Sequence, residues 1–432
     1  MNIFKWALPG HLLFVLLLLC PFLSNAQNRV GEKIFKNKFV HEIRISFSQP
    51  HYWDSLLAYY ESSLDSSNLK RNSLMASVEL DGDKVDSVGV RLKGYLSFSI
   101  PSDKKSIKLD FNDYNKSKRY DGLTNLGLAN EYPDPSFLRS TVAYEVFRQL
   151  GVKAPRTSFA KVYINNGYHG LFVITEQVNK TFIRDNFGND DGDLIEPISG
   201  QLQWDEGDSI AFKNKYKVKS TDRNEAYTRL IELAKKIKVT TAEKFYDSLK
   251  TEFDFNSFIS VFAGDVIFNN IDGYYSGYNY YLYWDTNSKK YTCIPWDYNI
   301  AFSYDNLRKK TFSILPGGEN QSIFFTPIPF KIISNDVLKE MYLDEVYRVN
   351  NTMVSKSVIS LIEKLHAMIS PYVLEDNKKT FTNEQFQSSL TKTTVFNNKE
   401  VEGLLYFLET RHTEISRLLD YFGYDKKKLQ KK

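Results

Sequence analysis

Apolar and polar positions alternate through residues 40–47, with Ile43, Ile45 and Phe47 separated by Arg44 and Ser46. That two-residue period marks a strand with one buried face. A short helix is expected near 53–62, then strand-like runs at 77–80, 87–92 and 106–111. Asp81-Gly82-Asp83 between the first two runs reads as a hairpin turn. Residues 136–150 predict a helix: Asp134-Pro135 marks its start, Phe137, Val142, Val146 and Leu150 recur at helical spacing, and Gly151 ends it. A second hairpin joins 162–164 to 171–174 through Asn165-Asn166-Gly167. The first half therefore reads as an antiparallel sheet with one prominent helix packed against it.

From residue 221 the period changes. Segments 223–237, 242–250 and 255–269 carry helical spacing, a strand pair at 278–284 and 291–294 interrupts them, and long helices follow at 337–369, with a break at Asn350-Asn351, and at 401–421. The expected fold class is α+β and bilobal, with a sheet-rich lobe over about 40–180, a helix-rich lobe over about 181–422 and a cleft between them. Clefts of that kind are favoured ligand sites.

The termini add an address. Lys5, the uncharged apolar run at 12–19 and Ser24-Asn25-Ala26 form the three parts of an export signal ending near residue 26. Residues 27–39 read as a loose polar leader, and residues 423–432 as a frayed basic tail. The apolar run is too short to span a bilayer, and no later segment approaches the ~20 residues needed. The protein is thus expected outside the cytoplasm, periplasmic, on the cell surface or secreted. Removing the signal takes Cys20 with it and leaves Cys293 alone, so no internal disulfide is expected. With a formal net charge of only +4, neither nucleic acid nor an anionic membrane is demanded as partner. The aromatic residues, 15% of the chain and spread along it, are assigned to the core.

Many catalytic constellations are absent. His41, His51, His169, His366 and His412 include no pair at metal-ligand spacing, and there is no Gly-x-Ser-x-Gly, Walker or Gly-x-Gly-x-x-Gly motif. Cys293 lies in a strand-like run and reads as a small buried hydrophobe. One dense polar segment remains: Asn269-Asn270-Ile271-Asp272-Gly273, then Asn279-Tyr280-Tyr281-Leu282-Tyr283, then Pro295-Trp296-Asp297-Tyr298-Asn299. Phosphoryl transfer needs one carboxylate beside the accepting hydroxyl, an amide oxygen for Mg²⁺ and a second carboxylate bridging metal and phosphates. Asp272, Asn279 and Asp297 occur in the order protein kinases use for those roles. Turn capping accounts for Asp272 and Asn279 equally well at this point.

The sequence resembles the CotH kinase family, named for a spore-coat protein, from about His41 to Tyr421. The matching pieces are Val90-Arg91-Leu92-Lys93-Gly94, Lys104-Lys105-Ser106-Ile107-Lys108-Leu109, Phe137-Leu138-Arg139, Ala154-Pro155-Arg156, Asn166-Gly167-Tyr168-His169-Gly170-Leu171, Thr175-Glu176-Gln177-Val178 and the polar segment above. The resemblance implies an atypical protein-kinase-like bilobal fold using ATP and Mg²⁺ or Mn²⁺ to phosphorylate Ser or Thr of secreted or surface proteins. On that basis Asp272 matches the catalytic aspartate, Asp297 the metal-binding one and Asn279 an accompanying metal or loop-ordering residue. Lys105 and then Lys108 are the choices for the phosphate-contacting lysine, Arg139 and Glu176 are further nucleotide-site candidates, and Glu145 is one candidate helix acid. Two places depart from the family pattern: Asn299 stands where a second acid is usual, and Ser303 where glycine is. Alternatives of other classes are a catalytically silent surface-binding or adhesion module and a transferase of another nucleotide-derived group.

Overall fold

Seven strands of the first half close into a barrel: β1 (His41–Ser46), β2 (Leu74–Leu80), β3 (Asp83–Lys93), β4 (Ser106–Asp110), β5 (Asn125–Ala129), β6 (Thr157–Ile164) and β7 (Gly167–Thr175). The order is β1-β2-β3-β4-β5-β7-β6, and β6 closes on β1 in parallel while the other neighbours are antiparallel. These elements come from a computed structural model, which describes residues 29–424 apart from 37–38, 64–71, 95–97, 101, 206, 221, 304–310, 317–324 and 397–398. The expected export signal and residues 425–432 of the basic tail lie outside the described residues.

Alternation decides what fills the barrel. Ile43, Ile45, Val88, Val90, Leu92, Ile107, Leu109, Leu126, Leu128, Val162, Phe172 and Ile174 form one apolar cluster inside it. Leu171 and Val173 have the opposite parity on β7 and join a second, larger cluster with the helices. Burial on both faces is why residues 171–174 are a continuous apolar run. The expected antiparallel sheet is closed into a barrel by one parallel pairing. Closure depends on the β1–β6 pairing between residues more than a hundred positions apart, and no local pattern encodes it.

Three helices accompany the barrel, α1 (Glu32–Phe35), α2 (Tyr52–Ser62) and α3 (Arg139–Gln149). The leader is not loose over residues 29–36: Ile34 is fully buried in the barrel cluster and the Arg156 guanidinium donates to the Val30 carbonyl at 2.6 Å. Helix α3 starts three residues later than expected. The Asp134 carboxylate accepts from the Ser136 and Arg139 backbone N–H groups at 2.8 and 2.9 Å, which folds 134–138 into a turn.

The second lobe runs through α4 (Lys180–Phe187), β8 (Asp193–Pro197), α5 (Ser209–Asn214), β9 (Tyr216–Val218), α6 (Arg223–Val239), α7 (Phe245–Leu249) and α8 (Phe255–Ile267). It continues with β10 (Tyr280–Asp285), β11 (Lys290–Pro295), α9 (Pro327–Ile333), α10 (Asp336–Met353), α11 (Lys356–Glu375), α12 (Asn383–Ser388), β12 (Thr394–Phe396), β13 (Lys399–Val401) and α13 (Leu404–Tyr421). Helix α8 is buried nearly all round, and β11-β10-β8-β9 form a four-stranded sheet beside it. The break in the long helix falls at Val354-Ser355 and not at Asn350-Asn351. Ser355 caps α11, whereas Asn350 is buried and donates to the His412 carbonyl at 3.3 Å.

A clasp joins the lobes away from the cleft. Asp376, fully buried, pairs with Lys104 and accepts from the Leu171 N–H at 3.1 Å. Gly170 sits against it with φ +118°, and a Cβ there would lie 2.4 Å from an Asp376 carboxylate oxygen. Gly170→Ala combines a disfavoured backbone with a steric push on a buried ion pair, so it should cost about 3 kcal/mol in urea unfolding. A loss below about 1 kcal/mol would contradict the clasp.

Candidate active site between the lobes

The loop carrying Asp272 begins where α8 ends. The fully buried Arg411 donates to the carbonyls of Val266 and Ile267 at 2.9 and 3.1 Å, satisfying the end of the helix. Asn269 then turns the chain (φ 52°), its amide donating to the Ser303 carbonyl at 2.7 Å. Beyond it the loop wraps around the buried Asp265, which accepts from Asn270 at 2.9 Å, the Tyr298 hydroxyl at 2.6 Å and the Tyr274 N–H at 3.1 Å. Gly273 is needed because a Cβ would lie 2.4 Å from Asp265. The Asp272 carboxylate accepts from Asn279 Nδ2 at 2.8 Å.

Asn279 precedes β10 and Asp297 follows β11, so the open end of that hairpin places them side by side. Tyr280 pairs with Pro295, and the Trp296 N–H donates to the Asn279 carbonyl at 3.2 Å. Asp297 is held at φ 57° with its N–H donating to the Tyr144 hydroxyl at 2.8 Å. It lines a cleft of about 580 Å³ whose opposite wall is the barrel: Arg91 and Lys93 from β3, Lys108 and Asp110 from β4, and Glu131 just after β5.

Several charges in this cleft are paired within the protein, Arg91 and Lys108 with Asp110 at 3.2 and 3.3 Å and Lys219 with Glu196 at 2.9 Å, but two are not. Among the described residues neither the Asp297 carboxylate nor the Lys93 ammonium has a hydrogen-bond or ion-pair partner, although each feels the other's field. Asp297 is open to solvent within the cleft yet ringed by protein, and loss of bulk hydration raises its pKa, with Lys93 opposing. Desolvation lowers Lys93. Burial first and the Asp297 charge second push Asp272 up to about 6. Glu131, only 3% exposed, is pushed up to about 8 by burial and by Asp134 and Asp297.

The structure brings Asp297 and Lys108 into the cleft, with Asp272 and Asn279 beside it. It does not bring Lys105, Arg139 or Glu176 there. Ser106, Lys108 and Asp110 share the cleft face of β4, whereas Lys105 has the parity of Ile107 and donates to the Phe98 and Ile100 carbonyls at 2.5 and 2.6 Å. Arg139 is fully buried against Asp134 and three carbonyls. Glu176 clamps Arg156 at 2.5 and 3.0 Å, tying the end of β7 to the start of β6. Glu145 pairs with Arg148 on its own helix at 2.8 Å. Residues missed from sequence are Lys93 and Glu131. Lys93 lies inside a quoted family-like piece, and its parity opposite to Leu92 is the signal that assigns it to the cleft.

A barrel lobe and a helical lobe with acidic loop ends facing barrel lysines across the cleft define a kinase-like bilobal α+β fold. The chain belongs to the CotH kinase protein family, whose model matches residues 90–415, a shorter span than the expected resemblance from His41. Inner spore coat protein H of Bacillus subtilis (strain 168) is 25% identical over 297 residues, covering 66% of this chain and 77% of that protein.

Among the described residues no group of three or more His, Cys, Asp or Glu is placed to hold a metal unaided. Likewise, no helix of the described residues is long and apolar enough to cross a membrane.

Proposed function

We propose that this chain is an exported kinase transferring the γ-phosphoryl group of ATP, with Mg²⁺ or Mn²⁺, to Ser or Thr hydroxyls of secreted or surface proteins. The observation carrying this reading is the pair of unpartnered opposite charges, Lys93 and Asp297, on facing walls of one cleft. The half-buried Lys93 costs free energy unless something pairs with it, and Asp297 opens its carboxylate into the same cleft. A metal-bound triphosphate supplies an anion for Lys93 and a cation for Asp297 together.

Lys93 would hold phosphate oxygens, with Lys108 and Arg91 sharing Asp110 behind it and leaving a net positive charge there. Asp297 would hold the metal, and the Oδ1 of Asn279 is available to it because Nδ2 is spent on Asp272. The bound metal would neutralise charge on the phosphates. Asp272 orients the acceptor hydroxyl and takes its proton. The name of the Bacillus relative supports a surface-associated setting, and the sequence pattern of residues 1–26 supports export.

The test is label transfer by protein beginning at residue 27, supplied with Mn²⁺ and ATP labelled at either the γ- or the α-phosphate. γ-Label should appear in the chain itself or a Ser-rich acceptor, Asp297→Ala should remove at least about 99% of it, and Lys105→Met should leave it intact. Transfer of α-label would indicate an adenylyl transferase. No transfer of either label by folded protein would leave the silent binding module.

A further inference from the structure

Asn299 stands where the family resemblance sets a second acid, yet its amide is already committed. Nδ2 donates to the Tyr132 carbonyl at 2.7 Å, a bond that a carboxylate cannot make. This bond ties the segment following Asp297 to the residue after Glu131, across the lobes. Glu131 itself is only 3% exposed and lines the cleft. One of its oxygens accepts from the Ser140 hydroxyl at 3.1 Å, and the other has no hydrogen-bond partner among the described residues. Its backbone is held at φ 56°, a conformation that costs a non-glycine residue free energy and persists only when neighbours enforce it. The enforcing bonds are visible: Asn130 donates to the Lys104 carbonyl at 2.7 Å and accepts from the Tyr132 N–H at 3.2 Å.

We propose that Glu131 is the second carboxylate of the divalent-metal site, supplied from the barrel lobe in place of the acid absent at Asn299. The assignment rests on the metal–nucleotide reading of the cleft. Glu131 lines the same cleft as Asp297 and Lys93 but forms an ion pair with neither, so the three side chains border a gap that a hard cation and phosphate oxygens fill, the cation displacing the proton that burial favours on Glu131. Asn299 is then a positioning residue, holding the Glu131 loop against the Asp297 loop.

The experiment counts bound Mn²⁺ from the electron paramagnetic resonance signal of the free ion, using the full chain from residue 27 and a saturating non-hydrolysable ATP analogue. Glu131→Gln keeps the Ser140 hydrogen bond and removes the charge. It should weaken Mn²⁺ binding at least about tenfold, with the unfolding temperature unchanged or higher. Wild-type Mn²⁺ affinity in this variant overturns the proposal, including the case where only nucleotide affinity measured without metal falls, which would make Glu131 a partner of Lys93. Asp297→Asn separates the two levels. Loss of Mn²⁺ there alongside an unaffected Glu131→Gln sinks Glu131 alone, whereas unchanged Mn²⁺ binding in Asp297→Asn sinks the underlying reading as well.

Discussion

Asp272→Asn should lower phosphoryl transfer about a thousandfold while changing the affinity for metal-bound nucleotide less than about threefold. The substitution keeps an oxygen that can accept from Asn279, so the 2.8 Å loop contact survives and the buried Asp265 network behind it is untouched. Only the capacity to take a proton is lost. If Asp272 were a turn cap and nothing more, the amide would serve nearly as well and activity would stay within a few-fold. The pH profile gives an independent reading. The free-enzyme pKa lies at about 6, raised by burial and by Asp297, and the base must be ionised to act. Therefore kcat/KM should fall about tenfold per unit as pH drops below that value and level off above it. A wild-type profile flat from pH 5 to 8 would remove Asp272 from the role of base.

What could be read from sequence follows the distance over which each feature is encoded. That Asp272, Asn279 and Asp297 lie together was legible because a single segment carries all three, bounded by an apolar helix and by a hairpin whose register is local. Both tight hairpins, at Asp81-Gly82 and Asn165-Asn166, were legible for the same reason, and left-handed backbone is found at all four residues. Barrel closure was not, since β1 and β6 pair across more than a hundred residues and no local pattern carries that pairing. The choice of lysine failed one step later. Both Lys105 and Lys108 belong to a family-like piece, but facing is set by parity relative to Ile107 and Leu109, and only Lys108 passes. Glu131 stands in an irregular turn, where neither period applies. Buried structural charge and functional charge also look alike in one sequence, which is how Glu176 and Arg139 entered the list of candidates.

That last confusion yields the sharpest stability contrast. Arg139→Met should destabilise the protein by about 4 kcal/mol or more, whereas Lys93→Met should leave the urea midpoint unchanged or raise it. Arg139 is 1% exposed, its Nε lies 3.3 Å from the fully buried Asp134, and its terminal nitrogens donate to the carbonyls of Ala301, Phe302 and Glu402. Removing it leaves three carbonyls without their donor, each costing about 1–3 kcal/mol, and takes the counter-charge from the buried Asp134, whose carboxylate keeps only its hydrogen bonds from Ser136 and the backbone N–H of residue 139. Arg139→Lys should rescue little, because an ammonium cannot fork to partners in that planar arrangement. Lys93 presents the reverse case. It has no partner to strand, and burial already disfavours its charge, so an apolar isostere loses nothing from the folded state. Its loss should appear in nucleotide affinity, at least about tenfold weaker with metal present. Equal destabilisation by the two substitutions would mean that Lys93 holds the lobes together and does not wait for a ligand.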